Sequence, residues 1–458
     1  MTATALEQLG SAIASSAAPS TAGRELVGLH LIDTVGAWIA GAHTTEGSAL
    51  LKFRAAMSED GPVGNALALD LATRCALARL SEIDSIHLVS MTTPGGIVIP
   101  AALTLAAATP AATADDVTAA ILAGTEAMIR LGRAVDGPAI LYRGIWPTYF
   151  AAPFAVAAVA ARLRKLDDRD AANALALALM LAAPGVGHHN APTTSRWFAV
   201  GQAAGHGLTA ALAAQRGFTS DLALGEGAFF SGIYGVKPDL AAFTDALGEG
   251  AALAEVSFKP WCAARQTMAA TQALREIIES GVAPAAMDEI RVSVLPPHLK
   301  MIDHGVVDGD RASYLTSLPY CMAAAAIAPE MAFEVQQAPP QLPAAVRAFM
   351  EKIKLQADEG LLSNYPRTWQ ARVSVLAGTA QHARTVTHVP GDPARPFGRA
   401  QVRDKFMRFA GPLLGTDKAE HVLARCADAL TTGSFAALVT TIENICGDAG
   451  ARSARAKS

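Results

Sequence analysis

Apolar residues recur three and four positions apart from Ala5 to about Gly217, broken only by short Gly, Pro and Asp interruptions such as Thr109-Pro110 and Asp136-Gly137-Pro138. That spacing predicts a body of packed helices. The period changes near Val256: Asp288–Leu295 (DEIRVSVL) alternates apolar and polar as a strand does. Ala371–Ala377 and Ala383–Val389 flank a turn at Gly378-Thr379-Ala380-Gln381, so a small antiparallel sheet is expected, with helices around Gln266–Ser280, Ala312–Ala328 and Leu342–Lys354. After Pro396 the helical period returns in Arg399–Ala410, Lys418–Thr431 and Ser434–Cys446, and the polar tail from Gly447 should fray. The fold class expected is mainly α: a large helical domain from residues 1–256 and 396–458, with a smaller α+β lid, residues 257–395, inserted into it.

The helical stretches are alanine-rich and only 6% of the chain is aromatic, so helices should meet closely on small side chains. With 458 residues the chain exceeds what one hydrophobic core usually serves, which agrees with two domains. Hydrophobic residues at 51% and charged ones at 17% exclude a disordered chain. The apolar runs Ala151–Ala161 and Ala172–Gly187 are shorter than the roughly 20 residues of a membrane span and read as buried helices. A net charge of −4, without a Lys/Arg block, argues against nucleic acid as a partner. The first residues lack the basic start of a signal peptide, so a cytoplasmic location is expected. Five scattered cysteines, with no CxxC pair and no His/Cys cluster, suggest neither a disulfide framework nor a metal site.

Four segments carry candidate chemistry. Glu82, Asp84 and His87 precede the break Thr92-Thr93-Pro94-Gly95-Gly96 and could form an acid/base cluster on a loop; the alternative is a solvated turn that caps a helix. Gly185-Val186-Gly187-His188-His189-Asn190 leads to Pro192-Thr193-Thr194-Ser195-Arg196, where Arg196 could hold a carboxylate through its planar fork. The alternative there is a polar loop between helices. Phe258-Lys259-Pro260-Trp261-Cys262 sets a lysine at the domain junction, a natural anion clamp. Ser317-Leu318-Pro319-Tyr320-Cys321 enters a helix with a tyrosine that could offer its hydroxyl or simply pack.

Taken in order, these pieces resemble the MmgE/PrpD family. The resemblance runs through Asp33 to Ala42 (DTVGAWIAGA), the acidic loop before Pro94, Val98 to Leu103 (VIPAAL) and Gly144 to Thr148 (GIWPT). It continues through Gly201 to Ala204 (GQAA), Gln215 to Thr219 (QRGFT), Phe258 to Pro260 and Ser317 to Tyr320. It implies a helical domain with an inserted lid, a homodimer, no cofactor, and a small carboxylate as substrate. The loop of family members reads D-F-D-D-T-H-x-x-x-x-x-H-P; here Glu82 stands at the first aspartate, Asp84 at the second, Ser85 at the third and Thr93 at the histidine before proline. Trp146 replaces the histidine of a G-x-H-P-T segment, and Arg196 stands at a lysine, whereas Lys259 and Tyr320 are retained.

On this resemblance, Glu82, Asp84, His87, Lys259 and Tyr320 are the catalytic candidates, and Thr93, Trp146, Arg196 and Lys259 the substrate-binding ones. The expected chemistry is that of a lyase, dehydratase or decarboxylase, which removes a proton next to a carboxylate. An isomerase on the same fold is the alternative, since it needs proton transfer without leaving-group assistance. A ligand-binding protein that has lost catalysis is the third reading.

Overall fold

A computed structural model describes residues 2–59, 66–182, 193–247, 251–336 and 338–455. The chain is mainly helical, with one small sheet in its C-terminal part. It divides into two compact units, one holding the described residues of 2–182, 193–256 and 398–455, the other those of 257–397. Among the described residues no helix is long and apolar enough to cross a membrane.

In the first unit, helices Ala66–Leu80, Gly95–Ala107, Ala114–Ala134, Pro147–Leu163 and Ser195–Gln215 pack through small residues. Ser195–Gln215 shows why alanine and glycine dominate here. A Cβ on Gly201 would lie 2.4 Å from the carbonyl oxygen of Ala72, and one on Gly207 would lie 2.3 Å from that of Pro153. The two glycines are six positions apart, which sets them about 120° apart around the axis, so this helix is gripped on two different faces at backbone contact. Helices Arg399–Leu414, Thr416–Thr432 and Phe435–Arg455 complete the unit, the last running to Arg455 where the polar composition predicted fraying from Gly447.

The second unit carries strands β1 (Glu289–Val294), β2 (Ile353–Ala357), β3 (Ala371–Ala377) and β4 (Ala380–Val386) in the order β2-β1-β3-β4. Two expectations need correction. The sheet is mixed: β2 runs parallel to β1, with Ile290 opposite Ile353, and it takes the end of a stretch whose apolar spacing had read as helix. That helix covers only Ala344–Met350. The β3–β4 hairpin is also tighter than predicted, with Ala377 paired to Ala380 across Gly378 and Thr379 alone. Gly378 takes φ +60°, which a glycine adopts without steric cost. Helix Arg265–Glu279 packs on β3 and β4, and buried Arg265 donates two hydrogen bonds to Asp392, at 2.8 and 2.7 Å.

The expected Ala312–Ala328 helix is broken in two, Arg311–Thr316 and Leu318–Ile327. Ser317 caps the second piece by accepting from the Tyr320 N–H, and Pro319 sits in its first turn, where a missing N–H costs nothing.

Candidate active site

The acidic loop, residues 81–94, joins helix Ala66–Leu80 to helix Gly95–Ala107 and is buried almost throughout. Glu82 ends the first helix at φ +58°, a left-handed conformation that costs a non-glycine residue roughly 1–2 kcal/mol. The conformation brings its carboxylate to Arg79, whose Nη1 donates to Glu82 Oε1 at 2.8 Å and to Asp84 Oδ1 at 3.1 Å. Asp84 is fully buried, and its Oδ2 faces the first turn of helix Gly95–Ala107: a Cβ on Gly96 would stand 3.0 Å from it. A glycine there lets the carboxylate approach the positive end of the helix.

His87 belongs to a different arrangement. Its ring lies 1% exposed, and Nδ1 accepts the Ser90 N–H at 3.1 Å. The neutral ring therefore carries its proton on Nε2, which donates to Glu255 Oε2 at 3.1 Å; Arg133 donates to the same oxygen. Burial pushes the His87 pKa below the usual histidine value, against the opposing pull of Glu255. The histidine thus ties the turn closed by the His87–Thr92 bridge to Glu255, and the structure does not group it with Glu82 and Asp84.

Thr93 donates its backbone N–H to the hydroxyl of Thr148 at 3.1 Å, which docks the end of the acidic loop onto the start of helix Pro147–Leu163. That helix begins at Trp146, and Tyr149 lies in its first turn. The two rings are 5.3 Å apart. Arg196, in the first turn of helix Ser195–Gln215, sits 5.2 Å from the Trp146 ring and 5.8 Å from that of Trp197, and Arg79 lies 5.8 Å from the same Trp197 ring. Tyr149 is 2% exposed and feels the charges of Arg79, Arg196, Glu82 and Asp84 together; burial dominates and pushes its phenol above the ordinary value, so it stays protonated.

Three helix starts, those of Gly95–Ala107, Pro147–Leu163 and Ser195–Gln215, therefore gather with two guanidiniums around two carboxylates. The two carboxylates balance the two guanidiniums, and the helix N-termini leave a partial positive charge that favours an anion. Arg79 and Tyr149 went unpredicted. A lone arginine in the last turn of a helix reads as solvent-facing, and only its spacing of three and five residues from Glu82 and Asp84 could have pointed to it.

The other two candidates lie in the second unit. Lys259, expected as an anion clamp at the domain junction, is 2% exposed and therefore a buried residue. Tyr320 meets Tyr314 edge to face at 4.7 Å and lines a cavity of about 340 Å³ with Cys262, Arg311, Tyr314 and Glu330. Burial raises its pKa as well. The segment from Gly185 to Asn190, with Pro192, lies outside the described residues. Among the described residues no three His, Cys, Asp or Glu side chains stand together so as to hold a metal ion.

Two family models match the chain: the MmgE/PrpD N-terminal domain over residues 7–237 and the MmgE/PrpD C-terminal domain over residues 261–429. No curated protein matches it.

Proposed function

The chain belongs to the MmgE/PrpD family, of dehydratase-like and related enzymes of small carboxylates, and we propose that it is a lyase of dehydratase or decarboxylase type that removes a proton next to a carboxylate. The observation that carries this reading is the convergence of Arg79, Arg196 and three helix starts on Glu82 and Asp84. The two guanidiniums balance the two carboxylates, so the helix starts supply the remaining pull on a substrate carboxylate, with Arg196 as the proposed guanidinium beside it.

Of the two carboxylates, Asp84 is enclosed between Arg79 and Gly96, whereas the Glu82 side chain keeps 12% of its surface. Glu82 is the proposed base. It takes the proton α to the carboxylate, the electron pair moves into the adjacent bond, and in a dehydration the hydroxyl leaves as water with a proton from an acid. Tyr320, protonated by virtue of its raised pKa, is the acid that the family resemblance supplies, and Lys259 its further cation.

An isomerase is the second reading, favoured by one observation: His87 turns its ring to Ser90 and Glu255, away from an acid's part in leaving-group chemistry. Incubation of the purified protein with small di- and tricarboxylates in deuterated water, followed by proton NMR, separates the readings. A lyase yields an unsaturated product, and an isomerase exchanges deuterium into C–H without one. Neither exchange nor product with any acid would leave a protein that only binds its ligand.

A further inference from the structure

Among the buried hydrogen-bond donors of the first unit without an acceptor among the described residues are two in neighbouring rings, the Trp146 Nε1–H and the Tyr149 hydroxyl. Trp146 is 8% and Tyr149 2% exposed, so neither deficit is met by bulk water, and a buried unpaired donor costs about 1–3 kcal/mol. Arg79 Nε is a third donor in the same condition. Such groups are rare in a folded protein, and these three fall in one cluster at the start of helix Pro147–Leu163, with Arg196 beside Trp146.

Their chemistry is uniform. Indole and guanidinium nitrogens only donate, and the phenol, kept protonated by burial, has a proton to give. Donors in excess over acceptors, at a helix N-terminus and next to guanidinium, call for a ligand with several acceptor lone pairs and negative charge. We propose that Trp146 Nε1 and Tyr149 Oη, assisted by Arg196, are the hydrogen-bond donors that seat one carboxylate of the substrate. The inference rests on the lyase reading for the word substrate, but the seat itself is a binding site that stands or falls separately. It also gives Trp146 a purpose: the indole keeps one N–H donor where family members have an imidazole, and its ring lies against the Arg196 guanidinium.

The test is binding, not turnover. Succinate and citrate are titrated into the full chain by calorimetry, with succinamide as the uncharged control. Both anions should bind wild type and succinamide should not. Tyr149→Phe, which keeps the ring, and Trp146→Phe, which keeps an aromatic side chain without the N–H, should each weaken the anions by about tenfold or more, the effect of losing a charge-assisted hydrogen bond. Trp146→His, which restores an N–H, should bind within a few fold of wild type, and circular dichroism checks that each variant is folded. Failure of wild type to bind either anion at millimolar concentration, or equal binding by folded Tyr149→Phe, would overturn the seat. If the seat holds and no acid exchanges a C–H proton, it is the lyase reading that falls. If exchange occurs while the variants bind normally, the seat falls and the lyase reading stands.

Discussion

Lys405 Nζ donates to the backbone carbonyl of Ile83 at 2.7 Å, and Ile83 is the residue between Glu82 and Asp84. The same ammonium pairs with Asp33, so helix Thr21–Ala42, helix Arg399–Leu414 and the acidic loop meet at one buried charge. The two side chains are 5% and 0% exposed.

Removing one member of such a pair strands the other. Lys405→Met should destabilise the protein by about 3–5 kcal/mol, read by denaturant unfolding. Adding Asp33→Asn should cost much less than the sum of the two single changes, because the stranded carboxylate is gone. Additive effects would mean that the pair is not coupled.

Gly201→Ala places a methyl group 2.4 Å from the Ala72 carbonyl oxygen, a backbone atom that cannot rotate away. A loss of at least about 1–3 kcal/mol is expected, measured as a lower unfolding midpoint. Gly205→Ala on the same helix, where the nearest atom is 3.4 Å away, should be nearly neutral.

His30 is fully buried, and desolvation, aided by the charge of Lys405, lowers its pKa to about 3. The unfolded chain, with an ordinary value near 6.5, binds a proton that the folded one refuses. Its stabilising contribution is complete above about pH 6.5, is lost progressively as pH falls, and is gone near pH 3. At pH 5 the loss from this residue amounts to about 2 kcal/mol. His30→Leu should flatten the fall of unfolding free energy between pH 6.5 and 5; an unchanged slope would contradict the assignment.

The helical body was legible because apolar period and alanine content are local properties, and Glu82, Asp84 and Arg196 could be singled out as candidates because charged residues stand out in an apolar chain. What escaped is non-local. The strand Ile353–Ala357 exists through its parallel pairing with β1, about sixty residues earlier, and five residues cannot announce that. His87 looked like a partner for the nearby acids, yet its carboxylate comes from Glu255, 168 residues away. Tyr149 follows the Gly144 to Thr148 motif directly, and only the folded chain puts its hydroxyl among two arginines and two acids.

Lys259 is the cation that the family resemblance retains. Because it is buried, Met, which keeps the aliphatic stem, is the informative replacement. With a carboxylate substrate in hand, Lys259→Met should lower kcat/KM by at least about tenfold, the effect of losing one charge-assisted bond. Turnover at the wild-type level would remove Lys259 from the mechanism.

The central claim is that Glu82 removes a proton next to a carboxylate, and the rate of solvent deuterium uptake in Glu82→Gln against wild type tests it most directly. Glutamine keeps the size of the side chain and can still accept from Arg79, but it cannot take the proton. Uptake into the carboxylate should fall by about 100-fold or more, the usual contribution of a positioned base. Uptake by folded Glu82→Gln at the wild-type rate would contradict the claim.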